Sequence, residues 1–449
     1  MRSQDSSQRI PLTDKEWKVA PEPAPKYKAY HLNNFRTIPQ TETLTQSQIL
    51  DIEVVGRVLP FRTNNYVVDE LIRWEDVPND PFFVLNFPQK DMLKPQHYNK
   101  VASALISGAG PKRMQKLVDS IRYELDPHPA GQLKDNRPRL DGEVLKGMQH
   151  KYPETVLFFP AQGQTCHAYC TFCFRWAQFV GIEGLKIAMK EADLLVRYLQ
   201  QHPEVTDILF TGGDPMIMKT RVLETYINAL LEADLPNLTN IRIGTKSLAY
   251  WPYRYLTDPD ADELLALFEK VNTSGKRMAL MAHFSHYREL ETEAVKQAVL
   301  RIQETGTVIR AQSPVLNHIN ADPDIWARMW KEQARMGIIP YYMFIARNTG
   351  AQHYFSLSLE NAWNIFREAY QQVSGLSRTV RGPVMSCHPG KVQILGVSEI
   401  AGEKVYALRA IQSRQPELVH QPFYAAYDPD AIWYSDLKPA FGEEDFIFS

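Results

Sequence analysis

The stretch Cys166-His-Ala-Tyr-Cys170-Thr-Phe-Cys173-Phe-Arg175 gathers three of the chain's four cysteines within eight residues. The fourth, Cys387, follows more than two hundred residues later. Iron–sulfur clusters are ordinarily held by four thiolates. Three thiolates at this spacing can hold three irons of a cubane and leave the fourth iron open to a ligand that is not protein. A structural zinc site is the competing reading, with His167 as an added ligand. Zinc sites, however, usually pair one C-x2-4-C with a second such pair, and Cys387 stands alone. Chance buried cysteines are scattered through a core rather than clustered. The cluster reading is the stronger one.

Around that loop the composition is ordinary for a globular protein: 449 residues, 44% apolar, 23% charged and a formal net charge of −2. The near-neutral balance leaves no electrostatic footprint for nucleic acid or an anionic membrane. The segment MRSQDSSQRIPLTDKEW has no apolar h-region, and no apolar run approaches membrane-spanning length. Four unevenly spaced cysteines argue against a disulfide framework. The expected setting is therefore a reducing cytoplasm, with neither nucleic acid nor membrane as partner.

From Thr155 onward, short β-branched and aromatic runs alternate with amphipathic stretches. The runs are TVLFF, DILF, NIRIGT, RMALMAH, TVIRAQ and IIPYYMFIA, most of them starting about 30 to 37 residues apart, the length of a βα unit. Between them, Leu290, Ala294, Val295, Ala298, Val299 and Ile302 form one helical stripe. Six such units make a parallel sheet curved into an open barrel. The cysteine loop follows its first strand, at the end where such folds place their chemistry. Residues 1–42 read as a polar, proline- and lysine-rich N-terminal arm, mobile or wrapping. Residues 43–150 read as a helical N-terminal region, with SQILDIEVVGRVL and NNYVVDELIRW at helical spacing and Gly110-Pro111 opening a further helix. The barrel is expected over 151–396 and a C-terminal extension over 397–449. The extension suits either a cover over the barrel or contacts between copies in a homo-oligomer.

At the next strand end the chain reads Leu209-Phe-Thr-Gly212-Gly213-Asp214-Pro215. Paired glycines there let the backbone approach a ligand closely, and their N–H groups can bind a carboxylate. The cysteine loop with its trailing Phe-Arg, and Gly-Gly-Asp one βα unit later, resembles the radical S-adenosylmethionine (SAM) enzymes. In that family the open iron is chelated by the amino and carboxylate groups of SAM, and the Gly-Gly motif holds the methionyl amino group. More closely, the chain is similar to the lysine 2,3-aminomutase group. The supporting segments are PNDPFFVLNFPQ, ELDPHPAGQ, HKYPETVLFF, FTGGDP, IRIGT, AHFSH, AQSPVL, PYYMFI with the downstream His353, and Pro389-Gly-Lys391. The resemblance implies an α/β fold, an open partial (β/α)6 barrel of radical SAM type with an N-terminal helical region and a C-terminal extension.

It also implies a [4Fe-4S] cluster on Cys166, Cys170 and Cys173, with SAM as radical source and pyridoxal 5′-phosphate (PLP) as carrier of a migrating amino group. An isomerase is expected, moving nitrogen from C2 to C3 of a small-molecule amino acid substrate, with a flavodoxin or ferredoxin as electron donor. Gly212, Gly213, Asp214, His283 and Gln312 match SAM-contacting positions. Lys391 matches the PLP-binding lysine, whose ε-amine must be partly unprotonated to react. Lys151 and Tyr152 fall where the group presents PLP phosphate and ring contacts, while Thr155 stands where a second phosphate arginine is expected. Arg175 matches the arginine that binds the substrate α-carboxylate, a task suited to a bidentate fork.

The departures concern the substrate's distal end. Enzymes of the group that act on lysine place two aspartates there, whereas this chain has Arg347 at the first position and no carboxylate in PVMSC at the second. A buried arginine facing a lysine ammonium costs several kcal/mol. Arg310 lies two residues before Gln312 and on the same strand face. Together Arg310 and Arg347 point to an anionic distal group, as in glutamate or aspartate, unless each salt-bridges a protein carboxylate. Two other readings stay open: a radical SAM enzyme of this fold without mutase chemistry or PLP, and a non-catalytic metal-binding scaffold.

Overall fold

Between Met148 and Ala426 the β-rich runs pair side by side, in chain order, as one sheet of eleven strands. The computed structural model describes residues 25–448, and residues 1–24 of the expected arm lie outside them. The strands are β1 (Met148–Tyr152), β2 (Thr155–Phe158), β3 (Asp207–Phe210), β4 (Asn240–Thr245), β5 (Arg277–His283) and β6 (Val308–Val315). They continue as β7 (Ile339–Ile345), β8 (Arg381–Ser386), β9 (Gly390–Ile400), β10 (Glu403–Ser413) and β11 (Pro422–Ala426). From β2 to β8 all neighbours are parallel. Antiparallel strands flank them, β1 on one side and β9 to β11 on the other. The two outer strands do not pair with each other, so the barrel stays open.

Parallel neighbours need a crossover, and each is a helix. They are Ala192–Gln201, Thr220–Glu232, Ala261–Thr273, Glu293–Glu304, Pro323–Arg335 and Leu359–Gln371. In Glu293–Glu304 the buried apolar residues are Val295, Ala298, Val299 and Ile302. Fully burying one such side chain contributes about 1.5–3 kcal/mol. Thr292 caps the helix by accepting from the Val295 amide at 3.3 Å, so Leu290, expected in the stripe, is buried in the preceding turn instead. On β6, Ile309, Ala311, Ser313 and Val315 are buried beneath the helices. Arg310 and Gln312 alternate with them and face the barrel interior.

Six βα units were legible, but a seventh parallel strand, β8, was not. Its Gly382-Pro383 pair reads as a turn, whereas here Pro383 sits inside the strand, whose neighbour β9 carries Lys391. β9 then runs through residue 396 without a break, so the sheet continues into the expected C-terminal extension. The expected helix in NNYVVDELIRW is only a short π-helical turn, Val67–Leu71, and the buried Asn64 side chain accepts from the Val67 amide at 3.0 Å in the manner of a cap at its start. Residues 29–31 pair with Arg62–Asn64, and Tyr30 and Phe35 are buried, so the described part of the arm is packed. Among the described residues no helix is long and apolar enough to cross a membrane.

Candidate active site

The loop after β2 has little regular structure of its own and is held by the N-terminal region. Backbone carbonyls of Arg62 and Leu85 accept from the amides of Tyr169 (2.8 Å) and Thr171 (2.9 Å). Tyr27 donates its hydroxyl to the His167 carbonyl at 2.6 Å, and Asn64 donates to the same oxygen at 3.2 Å. Within the loop the Cys173 amide donates to the Cys170 carbonyl at 3.0 Å, which folds the two cysteines into one turn. His167 is buried, with its ring edge-on to Tyr27, and burial together with Arg254 and Arg62 lowers its pKa to about 3.

Cys166, Cys170 and Cys173 are free and half-buried. Burial, Asp214 and the two other thiols raise Cys166 well above its ordinary value. Burial raises Cys170 to about 12 against the pull of Lys246. Three thiols that resist ionising beside one another need a strong positive charge to become ligands, which a metal cluster provides. Among the described residues no three His, Cys, Asp or Glu side chains converge as on a single ion. A set made of soft thiolates alone suits an iron–sulfur cluster, whose irons take sulfur ligands from the protein. The donor set fits the cluster. Cys387 is elsewhere, buried with its sulfur 3.5 Å from the Gly390 carbonyl.

The Gly-Gly turn after β3 packs directly on this loop. A Cβ on Gly213 would lie 2.3 Å from the Thr165 carbonyl oxygen, and Gly212 adopts φ +134° beside Gln164. Asp214, expected among the SAM contacts, serves another purpose. Its buried carboxylate accepts from the Thr245 hydroxyl (2.7 and 2.8 Å) and from the amides of Lys246 (2.9 Å) and Met216 (3.0 Å). Its own amide donates to the Thr165 carbonyl at 2.6 Å. Asp214 therefore joins the ends of β3 and β4 to the cysteine loop, and its oxygens are occupied internally. His283 ends β5 and is in direct register with Gln312 within β6. The His283 ring lies 5.5 Å, centroid to centroid, from Phe172 inside the cysteine loop. Burial and Lys246 keep this imidazole neutral.

Across the open side of the barrel the two flanks of the sheet meet. Lys391 on β9 places its ammonium 5.5 Å from the centre of the Tyr152 ring on β1, and 4.8 Å from that of Tyr342 on β7. It donates to Gln412 Oε1 at 2.6 Å, and Gln412 in turn donates to Glu154 at 2.6 Å. Burial, with Arg242, Arg381 and Lys151 nearby, lowers Lys391 to about 7. Lys151, bonded to the Cys387 carbonyl, is lowered to about 7 chiefly by burial. The Tyr152 hydroxyl is buried with no partner, an omission that costs about 1–3 kcal/mol and marks a place for a ligand's polar group. These residues fit PLP. At Thr155, where an arginine was expected, Arg242 approaches from β4, its Nη2 3.4 Å from the threonine hydroxyl, while its Nε pairs with Asp207 at 2.5 Å.

Arg175 and Arg347 share one aromatic ring. Their guanidinium carbons lie 4.9 and 5.0 Å from the centre of Phe174. Arg175 also donates to Thr211, and the Arg347 Nε is buried without a hydrogen-bond partner. Arg310 is not with them, contrary to the expectation of a joint pocket. It is level with Ile339 at the start of β7, whereas Arg347 follows the end of that seven-residue strand, roughly 20 Å away. Arg310 stacks on Tyr341, as does Arg381.

Sequence reading missed Gln412, Arg242, Arg381 and Tyr342. Gln412 was recoverable: Ala401 and Gly402, both at positive φ, close the β9–β10 hairpin whose register puts Lys391 opposite Gln412. Arg242 and Arg381 carry no local signal: barrel closure brings β4 towards Lys391, and Arg381 belongs to β8, the neighbouring strand that sequence reading did not find.

Three clustered thiols over the first parallel strand of an open barrel, beside a Gly-Gly turn on the second, define a radical SAM enzyme. No protein-family model matches the chain, but curated relatives do. It is 33% identical over 403 residues to a putative L-lysine 2,3-aminomutase of Aquifex aeolicus, covering 90% of this chain and 94% of the relative. Identity is 29% over 212 residues to the L-lysine 2,3-aminomutase of Bacillus subtilis, covering 47% of this chain and 42% of that one. It is 24% over 252 residues to the glutamate 2,3-aminomutase of Clostridioides difficile, covering 55% and 56%. The chain belongs to the lysine 2,3-aminomutase family of radical SAM enzymes, and its activity is of the aminomutase kind, an isomerase. Membership implies a [4Fe-4S] cluster and SAM.

Proposed function

We propose that this enzyme moves the amino group of an acidic α-amino acid from C2 to C3, using PLP held by Lys391. The observation that carries the PLP reading is the half-buried Lys391, lowered to about 7 and facing Tyr152 and Tyr342. When bound, the cluster and SAM supply a 5′-deoxyadenosyl radical, and PLP supplies a conjugated carrier for the migrating nitrogen. Cys166, Cys170 and Cys173 hold the cluster. The Gly212–Gly213 backbone, His283 and Gln312 bind SAM, and Asp214 positions that turn. Lys151, the Tyr152 hydroxyl and Arg242 receive the phosphate, the last in place of the arginine absent at Thr155.

Arg175 binds the substrate α-carboxylate and Arg347 the distal carboxylate, with Phe174 spacing the two. Arg310 has no part in this contact. The relative with 33% identity is named for lysine, a name that belongs to that protein. Arg347 argues against lysine here, since its guanidinium lies beside that of Arg175, with its Nε buried and unbonded, and would oppose an incoming ammonium. A one-electron donor of the flavodoxin or ferredoxin type reduces the cluster.

The test is anaerobic reconstitution with iron, sulfide, SAM, PLP and dithionite, followed by incubation with each common amino acid. Glutamate or aspartate should yield its β-isomer, and lysine should not. Efficient turnover of lysine would overturn the substrate reading. Release of 5′-deoxyadenosine without any β-isomer would favour non-mutase chemistry, and release of none would favour a scaffold.

A further inference from the structure

Nothing in the chemistry above uses Tyr250, yet its side chain reaches the cysteine loop. Tyr250 ends the short helix Ser247–Tyr250 that follows β4 and is 1% exposed. Its hydroxyl lies 3.6 Å from Cys170 Sγ, and its other partner is the Asn86 amide nitrogen at 3.5 Å. The orientation of that amide is fixed, because the same nitrogen donates to the Phe82 carbonyl at 3.0 Å. An amide nitrogen only donates, and here the Cys170 thiol donates to the hydroxyl as well. Once that sulfur is a metal-bound thiolate it has no proton to give, and it becomes the acceptor for the Tyr250 proton.

The arrangement around the ring is built rather than incidental. Asn64 donates to the Tyr250 carbonyl at 2.9 Å and to the His167 carbonyl at 3.2 Å, tying tyrosine and loop to one anchor. Lys246 sits 4.6 Å from the ring centre, fixed by Glu289 (2.6 Å), Ser285 (3.2 Å) and the His283 carbonyl (3.3 Å). A cation over the ring draws electron density from it and strengthens the hydroxyl as a donor.

We propose that Tyr250 is a positioning residue that donates a hydrogen bond to the cluster-bound sulfur of Cys170 and thereby raises the cluster's reduction potential. The inference rests on the reading of the cysteine loop as a cluster site. Reduction adds negative charge that spreads onto the thiolate sulfurs, so a donor to sulfur stabilises the reduced state more than the oxidised one. Tyr250→Phe keeps the ring, its packing and the lysine above it while deleting only the proton.

The experiment compares anaerobically reconstituted wild-type and Y250F full-length proteins. Iron and sulfide content is measured first, then the midpoint potential by redox titration monitored by electron paramagnetic resonance. Equal cluster content with a more negative midpoint in Y250F is the expected result. In deuterated buffer the reduced wild-type cluster should also couple to an exchangeable deuteron that Y250F lacks. An unchanged midpoint, or a wild-type cluster with no such coupling, would overturn the proposal. A wild-type protein that takes up no iron would instead sink the cluster reading beneath it.

Discussion

Under the proposed function, in which Lys391 holds PLP, the pH dependence of PLP capture follows from the surroundings of that lysine. An ordinary lysine near 10.5 is neutral in roughly one molecule in three thousand at pH 7. Lys391, lowered to about 7 by burial and its cationic neighbours, is neutral in roughly half. Only the neutral amine attacks an aldehyde, so capture should level off above about pH 7 and fall roughly tenfold per unit below it. Mixing PLP-free protein with PLP and following the visible absorbance of the lysine-bound cofactor, from about pH 6 to about pH 9, reads this directly. Arg381→Leu removes one of the cations disfavouring the ammonium and should move the midpoint to higher pH. The linkage to stability has the same origin. Folded Lys391 binds its proton more weakly than the unfolded chain does. Stability of the PLP-free protein should therefore rise with pH between about 7 and 10.5 on this residue's account, at roughly 1.4 kcal/mol per unit at most. Capture that keeps climbing beyond about pH 9 would refute the reasoning, as would unaltered absorbance in Lys391→Ala.

Cys170→Ser should lose most of the bound iron after anaerobic reconstitution, and Cys387→Ser should retain it, as metal analysis of the two would show. Gly213→Ala forces a methyl against the Thr165 backbone at 2.3 Å. It should cost about 1–3 kcal/mol, seen as a lower melting temperature together with weaker SAM binding. Arg347→Leu removes a charged contact worth about 1.5–3 kcal/mol. It should lower kcat/KM for an acidic amino acid by roughly ten- to a hundredfold, with a smaller effect on an uncharged one.

How much of this could be read from the chain alone follows from what each signal encodes. The cysteine loop and the six strand runs were legible because each is a local pattern, a spacing or a periodicity of adjacent residues. The strand Arg381–Ser386 was hidden because a Gly-Pro pair imitates a turn, and only pairing with Tyr342 and Phe344 makes it a strand. Asp214 was recognised as a motif residue, but the direction of its carboxylate depends on Thr245 and Lys246, thirty residues on. Arg310 and Arg347 looked like partners because sequence reports which face a residue is on and not its depth along the barrel. The proximity of Arg242 to Thr155 is a long-range feature, bringing a charge to one strand from another two places away in the sheet.

The barrel interior has a consistent electrostatic logic. Arg242, Arg381 and Lys151 all disfavour the Lys391 ammonium, Arg347 disfavours that of Lys151, and Arg347 and Arg175 oppose each other. The carboxylates placed among them are Asp207, already paired with Arg242, Glu154, bonded to Gln412, and Asp126 near Arg347. Such a chain of cations is costly unless ligands bring anions to it. Under the proposed function a phosphate and two carboxylates would do so, each arrival reducing the field that the next must meet. Lysine offers one carboxylate and adds an ammonium, leaving Arg347 opposed to a like charge in a place with little water to screen it. Under the proposed function, the cation excess that lowers Lys391 is thus the same property that disfavours a basic substrate. A change that relaxes one should relax the other.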